Sequence, residues 1–254
     1  MHWYQELIGS LRWAAELGRV DILLEVAQMS QQLALPREGH LEQVLHIIGY
    51  LKEHKKFRIM LDSQRPKVNE NWFLSYDWED FYRGVTEAIP PNQPEPRGNS
   101  VITSAFEDVD LAGDKVNRHS MTDVLMFLNR APIHFHGKKQ ATVEASTFGS
   151  EFIAMRTAVE MTESFRYKLR MFGIPIDGPT NIYCDNEAVY QNTVIPESTL
   201  KKKHHSIAYH RCREAVAAKT IRVAKQGTTK NLADLFTKTL SQSRREFLLE
   251  RFTY

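Results

Sequence analysis

Several features are scarce in this 254-residue chain, and each scarcity excludes a class of protein. The chain has only two cysteines, Cys184 and Cys212, which cannot build a disulfide framework and favour a reducing compartment or buried thiols. No segment approaches about 18 uninterrupted apolar residues, the length associated with a membrane-spanning helix. The first residues also lack the basic and apolar regions of a secretion signal. We therefore expect a protein that is neither secreted nor embedded in a membrane.

An excess of charge of one sign is also missing. The formal net charge is +2, so a general basic field cannot indicate nucleic-acid binding, and any such function must depend on local clusters. A hydrophobic fraction of 42% and a charged fraction of 25% are ordinary for a globular protein. The length allows one or two compact domains.

Two different patterns precede residue 101. Between residues 1 and 60, apolar side chains recur every three or four positions in three stretches, which predicts a small helical unit with Asp21 as the cap of its second helix. Between residues 61 and 100 this periodicity fades and prolines concentrate in the second half, which predicts an extended connector. The first half of the connector is rich in aromatic residues, so we expect part of it to pack against a neighbouring element.

Residues 101–254 predict a different architecture. The predicted elements, in chain order, are strands at 102–110, 124–128 and 131–135, a helix at 147–172, a strand at 181–184, helices from 187 and at 207–218, a strand at 220–224, and a final helix capped by Asn231. A turn is predicted at Lys138-Lys139-Gln140. This order predicts an α/β fold in which a mixed five-stranded sheet is flanked by helices and preceded by the small helical unit.

Four acidic residues lie at positions where a carboxylate is either unusual for the predicted element or expected to be near a functional site. Glu151 shares a helix face with apolar residues that must lie on the sheet, and Asp185 follows a buried strand. Asp108 lies within a strand, where aspartate is poorly suited, and Asp234 begins the last helix. Each acid also has a purely structural explanation, as a residue favoured by a helix dipole, a helix cap or an exposed edge-strand residue.

Taken together, the four acids are better explained by metal binding. The predicted sheet would bring their segments to one edge, where clustered carboxylates repel one another unless divalent cations neutralise them. Oxygen-rich clusters suit Mg²⁺ or Mn²⁺, whereas Zn²⁺ usually takes His or Cys ligands. Two such ions about 3.5 to 4 Å apart support an in-line displacement at phosphorus, so the pattern predicts a two-metal phosphodiesterase.

Several sequence blocks, in the same order, resemble the ribonuclease H region of copia-type LTR-retrotransposon polyproteins. The blocks are Asp108-Val109-Asp110-Leu111-Ala112-Gly113-Asp114, Asn117-Arg118-His119-Ser120, Lys138-Lys139-Gln140, Ser146-Thr147 to Glu151-Phe152, Tyr183-Cys184-Asp185-Asn186 and Leu232 to Lys238. Tyr4 to Gly9, Asp21-Ile22 and Tyr50-Leu51-Lys52 resemble the end of the reverse transcriptase region just upstream. The resemblance covers nearly the whole chain except the connector. The chain departs from the family at Asp123, where Gly is usual, and at Phe148-Gly149, which replaces a Glu-Ala pair.

This resemblance implies a ribonuclease H-like fold and assigns metal binding and catalysis to the four acids already singled out, Asp108, Glu151, Asp185 and Asp234. It implies a metal-dependent endonuclease that uses two Mg²⁺ or Mn²⁺ ions to cut the RNA strand of an RNA/DNA hybrid. No Tyr-x-Asp-Asp polymerase motif is present, so we expect the chain to be a C-terminal piece of a polyprotein whose reverse transcriptase portion is its partner. The expected location is the cytoplasm, within a virus-like particle, or the nucleus.

Local basic clusters are the expected contacts to nucleic acid. The densest basic run is Lys201, Lys202, Lys203 and His204. Clustered lysines release counterions from a duplex backbone, although a solvated loop is the structural alternative. We also expect Lys138, Lys139 and Asn186 to contact nucleic acid. Recognition of a hybrid would depend on backbone shape and 2′-hydroxyls, so little base specificity is expected.

A zinc site is not predicted from the sequence. His204, His205, His210 and Cys212 lie close together along the chain, but their spacing matches no common zinc-binding pattern. These residues therefore add no metal other than Mg²⁺ or Mn²⁺ to the expected function.

Two other functions remain open at this point. The first is a catalytically inactive remnant of a retroelement that binds nucleic acid or another subunit and keeps the acids by descent. The second is a transposase or integrase of the same fold, whose final acid is a Glu on a late helix. Here Glu151 comes second and Asp234 last, so the order favours ribonuclease H.

Overall fold

The computed structural model describes residues 2–114, 117–201, 203–238 and 240–253. Its strands are β1 (Thr103–Asp110), β2 (Met121–Leu128), β3 (Ala131–Lys139), β4 (Thr180–Cys184) and β5 (Ile221–Lys225). Its helices are α1 (His2–Glu16), α2 (Leu23–Ser30), α3 (Glu38–Glu53), α4 (Thr147–Met171), α5 (Glu187–Val194), α6 (Ser206–Ala217), α7 (Asp234–Thr237) and α8 (Gln242–Leu249). Among these described residues, no helix has both the length and the apolar composition needed to cross a membrane.

One mixed sheet organises the chain after residue 101. The strand order is β3-β2-β1-β4-β5, with β2 antiparallel to both β1 and β3 and with β4 parallel to both β1 and β5. The predicted α/β fold, a mixed five-stranded sheet flanked by helices and preceded by a small helical unit, is confirmed. Because β1 and β4 are parallel neighbours, their carboxyl ends lie at the same edge of the sheet.

Both faces of the sheet are covered, since β2 is buried along almost its whole length. Met126 points to one face, where it packs with Phe152 and Met155 of α4. Phe127 points to the opposite face, where it packs with Phe252 and with residues of α7 and α8. The alternation of side chains along a strand explains why successive residues of β2 enter two different cores.

The first sixty residues form a helical unit around their own core. This core consists of the buried residues Tyr4, Ile8, Leu11, Ala15, Ile22, Val26, Val44 and Ile47. Val20 and Leu23 extend from the unit into the core beneath Phe127. The prediction that Asp21 caps the second helix is wrong, because Asp21 lies in a 3-10 turn and receives two hydrogen bonds from Arg19. The helix α2 has Ile22 at its N-cap instead.

The predicted turn at Lys138-Lys139-Gln140 is wrong for its two lysines. The strand β3 continues to Lys139, with Lys138 opposite Thr122 and Lys139 opposite Met121. Strand β2 begins at Met121, earlier than predicted, so it supplies hydrogen-bonding partners that extend β3 as well. Cross-strand pairing outweighs the weak strand tendency of two consecutive lysines.

The end of the chain also differs from the prediction. Two helices, α7 and α8, replace the single final helix, and the N-cap of α7 is Ala233 rather than Asn231. Asn231 accepts a hydrogen bond from the backbone N–H of Ala233 and donates one to the backbone oxygen of Glu107. Asn231 therefore ties the start of α7 to strand β1 instead of capping the helix.

Residues 61–100 contain a single 3-10 turn, Glu70–Trp72, yet they are held firmly against the sheet domain. Glu87 accepts hydrogen bonds from Arg166 at 2.7 and 2.9 Å and from Arg170 at 2.6 Å. Burial by itself would raise the pKa of Glu87, but the hydrogen bonds from these two arginines of α4 outweigh burial and lower it.

The aromatic part of the connector covers a second buried cation. Arg213 of α6 is 2% exposed and donates hydrogen bonds to the backbone oxygens of Ile195 and Pro196. Its guanidinium carbon lies 4.8 Å from the ring centre of Trp78 and 5.8 Å from that of Tyr82, both residues of the connector. Cation–π contacts of this kind are worth up to about 2 kcal/mol when desolvated, so they hold the connector on α6.

We expect Glu87→Ala to lower the free energy of unfolding by about 3 kcal/mol, because it leaves the buried guanidinium of Arg166 without its carboxylate partner. Urea denaturation followed by circular dichroism would measure this loss. The control is Glu79→Ala in the same connector, whose ion pair with Arg83 is exposed and should contribute no more than about 0.5 kcal/mol. Equal effects of the two substitutions would contradict a firmly docked connector.

Candidate metal centre

Asp108 anchors the centre from strand β1. It is 1% exposed and shares its strand face with Phe106, so its side chain points toward α7. Its Oδ2 accepts a hydrogen bond from the hydroxyl of Thr237 and lies 3.0 Å from Nζ of Lys238. Both partners of this carboxylate therefore come from the end of α7 and the residue after it.

Glu151 and Asp185 reach the same place from the other side of the sheet edge. Glu151 lies in the second turn of α4, on the face that packs against the sheet, and is 6% exposed. Asp185 directly follows β4 and is half-buried. One carboxylate oxygen from each of Asp108, Glu151 and Asp185 lies within 4.8 Å of the other two. Three segments that are distant in the sequence thus converge.

Asp234 joins the cluster through a lysine. It is 5% exposed, and its Oδ1 lies 2.7 Å from Nζ of Lys238, the same ammonium that contacts Asp108. Its other oxygen lies 3.6 Å from Arg244. Asp234 is therefore linked to Asp108 through Lys238, but it is not one of the three acids whose oxygens converge within 4.8 Å.

Burial and mutual repulsion disfavour ionisation of these carboxyl groups. Burial, reinforced by Glu107 and Asp108, raises the pKa of Glu151. Burial also raises the pKa values of Asp108 and Asp185, and Lys238 offsets only part of the rise. A single lysine is thus insufficient to neutralise the cluster.

The carboxylate oxygens that have no hydrogen-bond partner are suitable ligands for a divalent cation. Oδ1 of Asp108 and Oε2 of Glu151 are buried and have no hydrogen-bond partner among the described residues. Unpaired buried carboxylate oxygens are unfavourable, and hard divalent cations such as Mg²⁺ and Mn²⁺ take oxygen ligands. Asp108, Glu151 and Asp185 could therefore hold an ion together, and Asp234 could join them if Lys238 moves aside.

Two further acids lie beside the centre that the sequence did not single out as site residues. Glu107 is fully buried on the face of β1 opposite to Asp108, and burial raises its pKa. Asp123 is directly opposite Asp108 in the β1–β2 ladder and is also fully buried. The carboxylate of Asp123 has no hydrogen-bond partner among the described residues, whereas the carboxyl group of Glu107 lies beside the thiol of Cys184. Alternation along β1 with Ala105 and Val109 would have predicted that Glu107 is buried.

Thr237 and Lys238 also belong to the centre and were not predicted as site residues. The contact between Lys238 and Asp234 could have been predicted from the sequence, because residues four positions apart meet on one face of a helix. The contact between Thr237 and Asp108 joins α7 to β1 and could not be read from local spacing.

The residues predicted to contact nucleic acid are distributed over three places. Lys138 is exposed on β3, while Lys139 lies 3.6 Å from Asp114. The side chain of Asn186 accepts hydrogen bonds from the backbone of Ala188 and Val189, so it is the N-cap of α5. The remaining predicted residues belong to the segment before α6, where Lys201, Lys203 and His204 are exposed and Lys202 lies outside the described residues.

The fold and the carboxylate cluster define an α/β protein with an acidic centre suited to divalent cations. The chain is similar to retrovirus-related Pol polyproteins of plant transposons. It is 28% identical over 240 residues to that of transposon RE1 from Arabidopsis thaliana, covering 94% of this chain and 14% of the relative. It is 27% identical over 249 residues to that of transposon TNT 1-94 from Nicotiana tabacum, covering 97% and 16%. The predicted resemblance to copia-type retrotransposon polyproteins is confirmed, and the chain spans about a seventh of these relatives.

Solved ribonuclease H structures also match part of the chain. The N-terminal RNase H domain of rv2228c from Mycobacterium tuberculosis, solved as a fusion with maltose binding protein, has a TM-score of 0.41 at 8% identity, covering 59% of this chain and 98% of that one. LC11-RNase H1 in complex with an RNA/DNA hybrid has a TM-score of 0.40 at 12% identity, covering 51% and 88%. No protein-family model matches the chain.

The buried acids predict how stability depends on pH without metal. Burial, followed by the charges of Asp108 and Asp110, raises the pKa of Asp123 well above its usual range. Because the folded state then holds a proton that the unfolded state has released, its stabilising contribution is complete below about pH 4 and is lost as the pH rises toward the folded pKa. In EDTA, we expect the free energy of unfolding to fall between about pH 5 and pH 9.

Asp123→Asn should remove part of this loss, since it replaces a carboxyl that must stay protonated with a neutral group of the same shape. We expect equal stability at about pH 4 and a gain at about pH 9 of about 1.4 kcal/mol for each pKa unit that the substitution eliminates. Thermal unfolding at several pH values would measure the difference. Asp77→Asn is the control, because Asp77 is exposed. A pH dependence identical to that of the unmodified protein would contradict the interpretation.

Lys238 should compete with a metal ion for the same carboxylates. We expect Lys238→Ala to lower the melting temperature in EDTA and to reduce the Mg²⁺ concentration needed for half-maximal stabilisation by on the order of tenfold. Melting curves at increasing Mg²⁺ would measure both effects. The control Lys52→Ala removes an exposed lysine of α3, away from the carboxylate centre. An unchanged Mg²⁺ midpoint would mean that Lys238 does not occupy the cation position.

Proposed function

We propose that this chain is a metal-dependent endonuclease of the ribonuclease H type, which cuts the RNA strand of an RNA/DNA hybrid as part of a retrotransposon polyprotein. The similarity to Pol polyproteins supports the biological setting, and the carboxylate cluster supports the chemistry. The observation that carries the proposal is the convergence of Asp108, Glu151 and Asp185 within 4.8 Å.

Each acid would bind the metal ions at the reacting phosphate from a different secondary-structure element. Asp108 projects from the centre of the sheet, Glu151 from the long helix, and Asp185 from the carboxyl end of β4. When bound, two divalent ions supply charge neutralisation for the attacking and leaving oxygens of an in-line displacement. The rigid sheet and α4 keep the carboxylates in place, so little reorganisation is required during the reaction.

Exposed lysines would contact the substrate backbone. Lys138 on β3 and Lys201 and Lys203 before α6 are all exposed, so their ammonium groups are accessible to phosphates. Such contacts are independent of base sequence and depend strongly on salt. We therefore propose that binding is driven by backbone charge and that the carboxylate centre determines where the cut occurs. Asn186 would contribute through the position of α5, which it caps, next to Asp185.

The direct test uses the full chain with a labelled RNA/DNA hybrid and Mg²⁺ or Mn²⁺. We expect cleavage of the RNA strand with either ion, none in EDTA, and a rate at least about 100-fold lower for Asp185→Asn, which removes one negative metal ligand. The matched control is Glu187→Gln, a neighbouring exposed acid that pairs with Lys225 and whose loss should leave the rate nearly unchanged.

The same assay separates catalysis from binding. Cleavage that persists in EDTA or in Asp185→Asn would reject the metal mechanism. Hybrid binding without any cleavage would instead favour a noncatalytic retroelement remnant that retains its acidic residues.

A further inference from the structure

A second group of metal-binding side chains lies outside the carboxylate centre. Glu144 belongs to the loop between β3 and α4, whereas His204 and His205 form the end of a 3-10 turn, Lys203–His205, before α6. Oε2 of Glu144 lies 3.5 Å from Nε2 of His205 and 3.9 Å from Nε2 of His204. All three ligand atoms lie within 4.8 Å of one another, although about sixty positions separate the acid from the histidines.

These distances are close to those of a metal site. Zn²⁺ bonds to His nitrogen and carboxylate oxygen at about 2.0 to 2.2 Å, so two ligands at neighbouring tetrahedral corners are about 3.3 to 3.5 Å apart. His205 and Glu144 already have this separation, His204 needs to approach Glu144 by only a few tenths of an ångström, and its ligand nitrogen lies within 4.8 Å of that of His205. His204 is exposed and can make this movement by a small side-chain rotation.

The three side chains also differ in burial in a way that suits metal entry. The side chains of His205 and Glu144 are 3% and 13% exposed, so the surrounding structure holds them in place. The side chain of His204 is 64% exposed and faces solvent. An ion can therefore arrive from the surface and find two ligands in position, with water available as a further ligand.

Gly149 provides the space in which Glu144 and His205 meet. It lies in the first turn of α4, where a Cβ atom would stand 2.7 Å from Oε2 of Glu144 and 2.7 Å from both Nε2 and Cε1 of His205. Glycine within a helix is less favourable than alanine by up to about 1 kcal/mol. The glycine is thus unfavourable for the helix but necessary for the close approach of these two ligands.

The chemistry of this group differs from that of the carboxylate centre. Two imidazoles and one carboxylate suit Zn²⁺ and similar transition metals, whereas an all-carboxylate centre suits Mg²⁺ or Mn²⁺. The N-terminus of α4 favours the negative charge of Glu144 and opposes a bare cation, so the carboxylate is an essential member. The other residues considered for zinc are occupied elsewhere, since His210 contacts the hydroxyl of Tyr82 and Cys212 is buried in the core.

We propose that Glu144, His204 and His205 form a second metal site, which binds Zn²⁺ or a similar transition-metal ion and fastens the segment before α6 to the start of α4. The proposal assigns the imidazole of His204 to the metal and leaves phosphate contacts in that segment to Lys201 and Lys203. It does not depend on nuclease activity, because the site shares no ligand with the carboxylate centre.

The first test measures binding of Co²⁺, used as a probe for Zn²⁺ because its visible absorption responds to nitrogen ligands. The protein is the full chain carrying Asp108→Asn and Asp185→Asn, so that the carboxylate centre no longer binds the probe. We expect one Co²⁺ per chain, displaced by Zn²⁺, and an affinity at least about tenfold lower in Glu144→Gln or His205→Ala. His46→Ala, which removes an exposed histidine of α3, should bind as the parent does.

Glu144→Gln decides the result if His205→Ala fails to fold, since Glu144 lies in a loop and the substitution preserves its shape. Failure to saturate below about 1 mM Co²⁺, which corresponds to a weak affinity, would overturn the proposal. So would equal affinity of the parent and Glu144→Gln. If the unmodified chain does not cleave the hybrid, that outcome would contradict only the function proposed for the carboxylate centre. The Co²⁺ binding result would still decide whether the second metal site exists.

The second test uses the space at Gly149. We expect Gly149→Ala to weaken Co²⁺ binding by on the order of tenfold, because the added Cβ must push Glu144 and His205 apart. The control is Gly49→Ala in α3, where a Cβ would meet nothing within 4 Å. Unchanged binding in Gly149→Ala, with the fold intact by circular dichroism, would contradict the proposed geometry.

Discussion

Electrostatic repulsion between buried carboxylates is the constraint around which this protein is built. Asp108, Glu151 and Asp185 place oxygens within 4.8 Å of one another, and two of the three, Asp108 and Glu151, are buried. Lys238 contacts Asp108 and Asp234 and relieves part of the repulsion, but Glu107 and Asp123 add two more buried acids nearby. Such a cluster is stable only if protons or cations neutralise it, so its charge state and its capacity for metal are linked.

The scaffold supplies the rigidity that holds these charges together. Strands β1 and β4 fix two of the acids through parallel pairing, and α4 is packed across the sheet so that Glu151 faces them. The connector also contributes to this rigidity, because Glu87 forms ion pairs with two arginines of α4 and the connector's aromatic rings cover Arg213 of α6. The long segment without regular structure therefore helps to position the same helices that border both groups of candidate ligands.

The two groups of candidate ligands favour different metal ions, because they contain different ligand atoms. Oxygen ligands alone favour hard cations at the edge of the sheet, whereas imidazoles beside Glu144 favour softer ions at the start of α4. Helix α4 is common to both, because Gly149 makes room for Glu144 and His205 only two residues before Glu151. An ion at the second group would fix the loop before this helix and the basic segment before α6, without entering the carboxylate centre.

Local sequence patterns were sufficient to predict the α/β fold, the order of its elements and the position of Asp185 after a buried strand, because hydrophobic periodicity and chain breaks are local properties. Three-dimensional packing was needed to show that Asp123 lies opposite Asp108, that Lys138 and Lys139 belong to β3, and that Thr237 contacts Asp108. It also brought Glu144 to His204 and His205. These contacts depend on strand register and on helix packing across the sheet, and neither can be read from the spacing of residues along the chain.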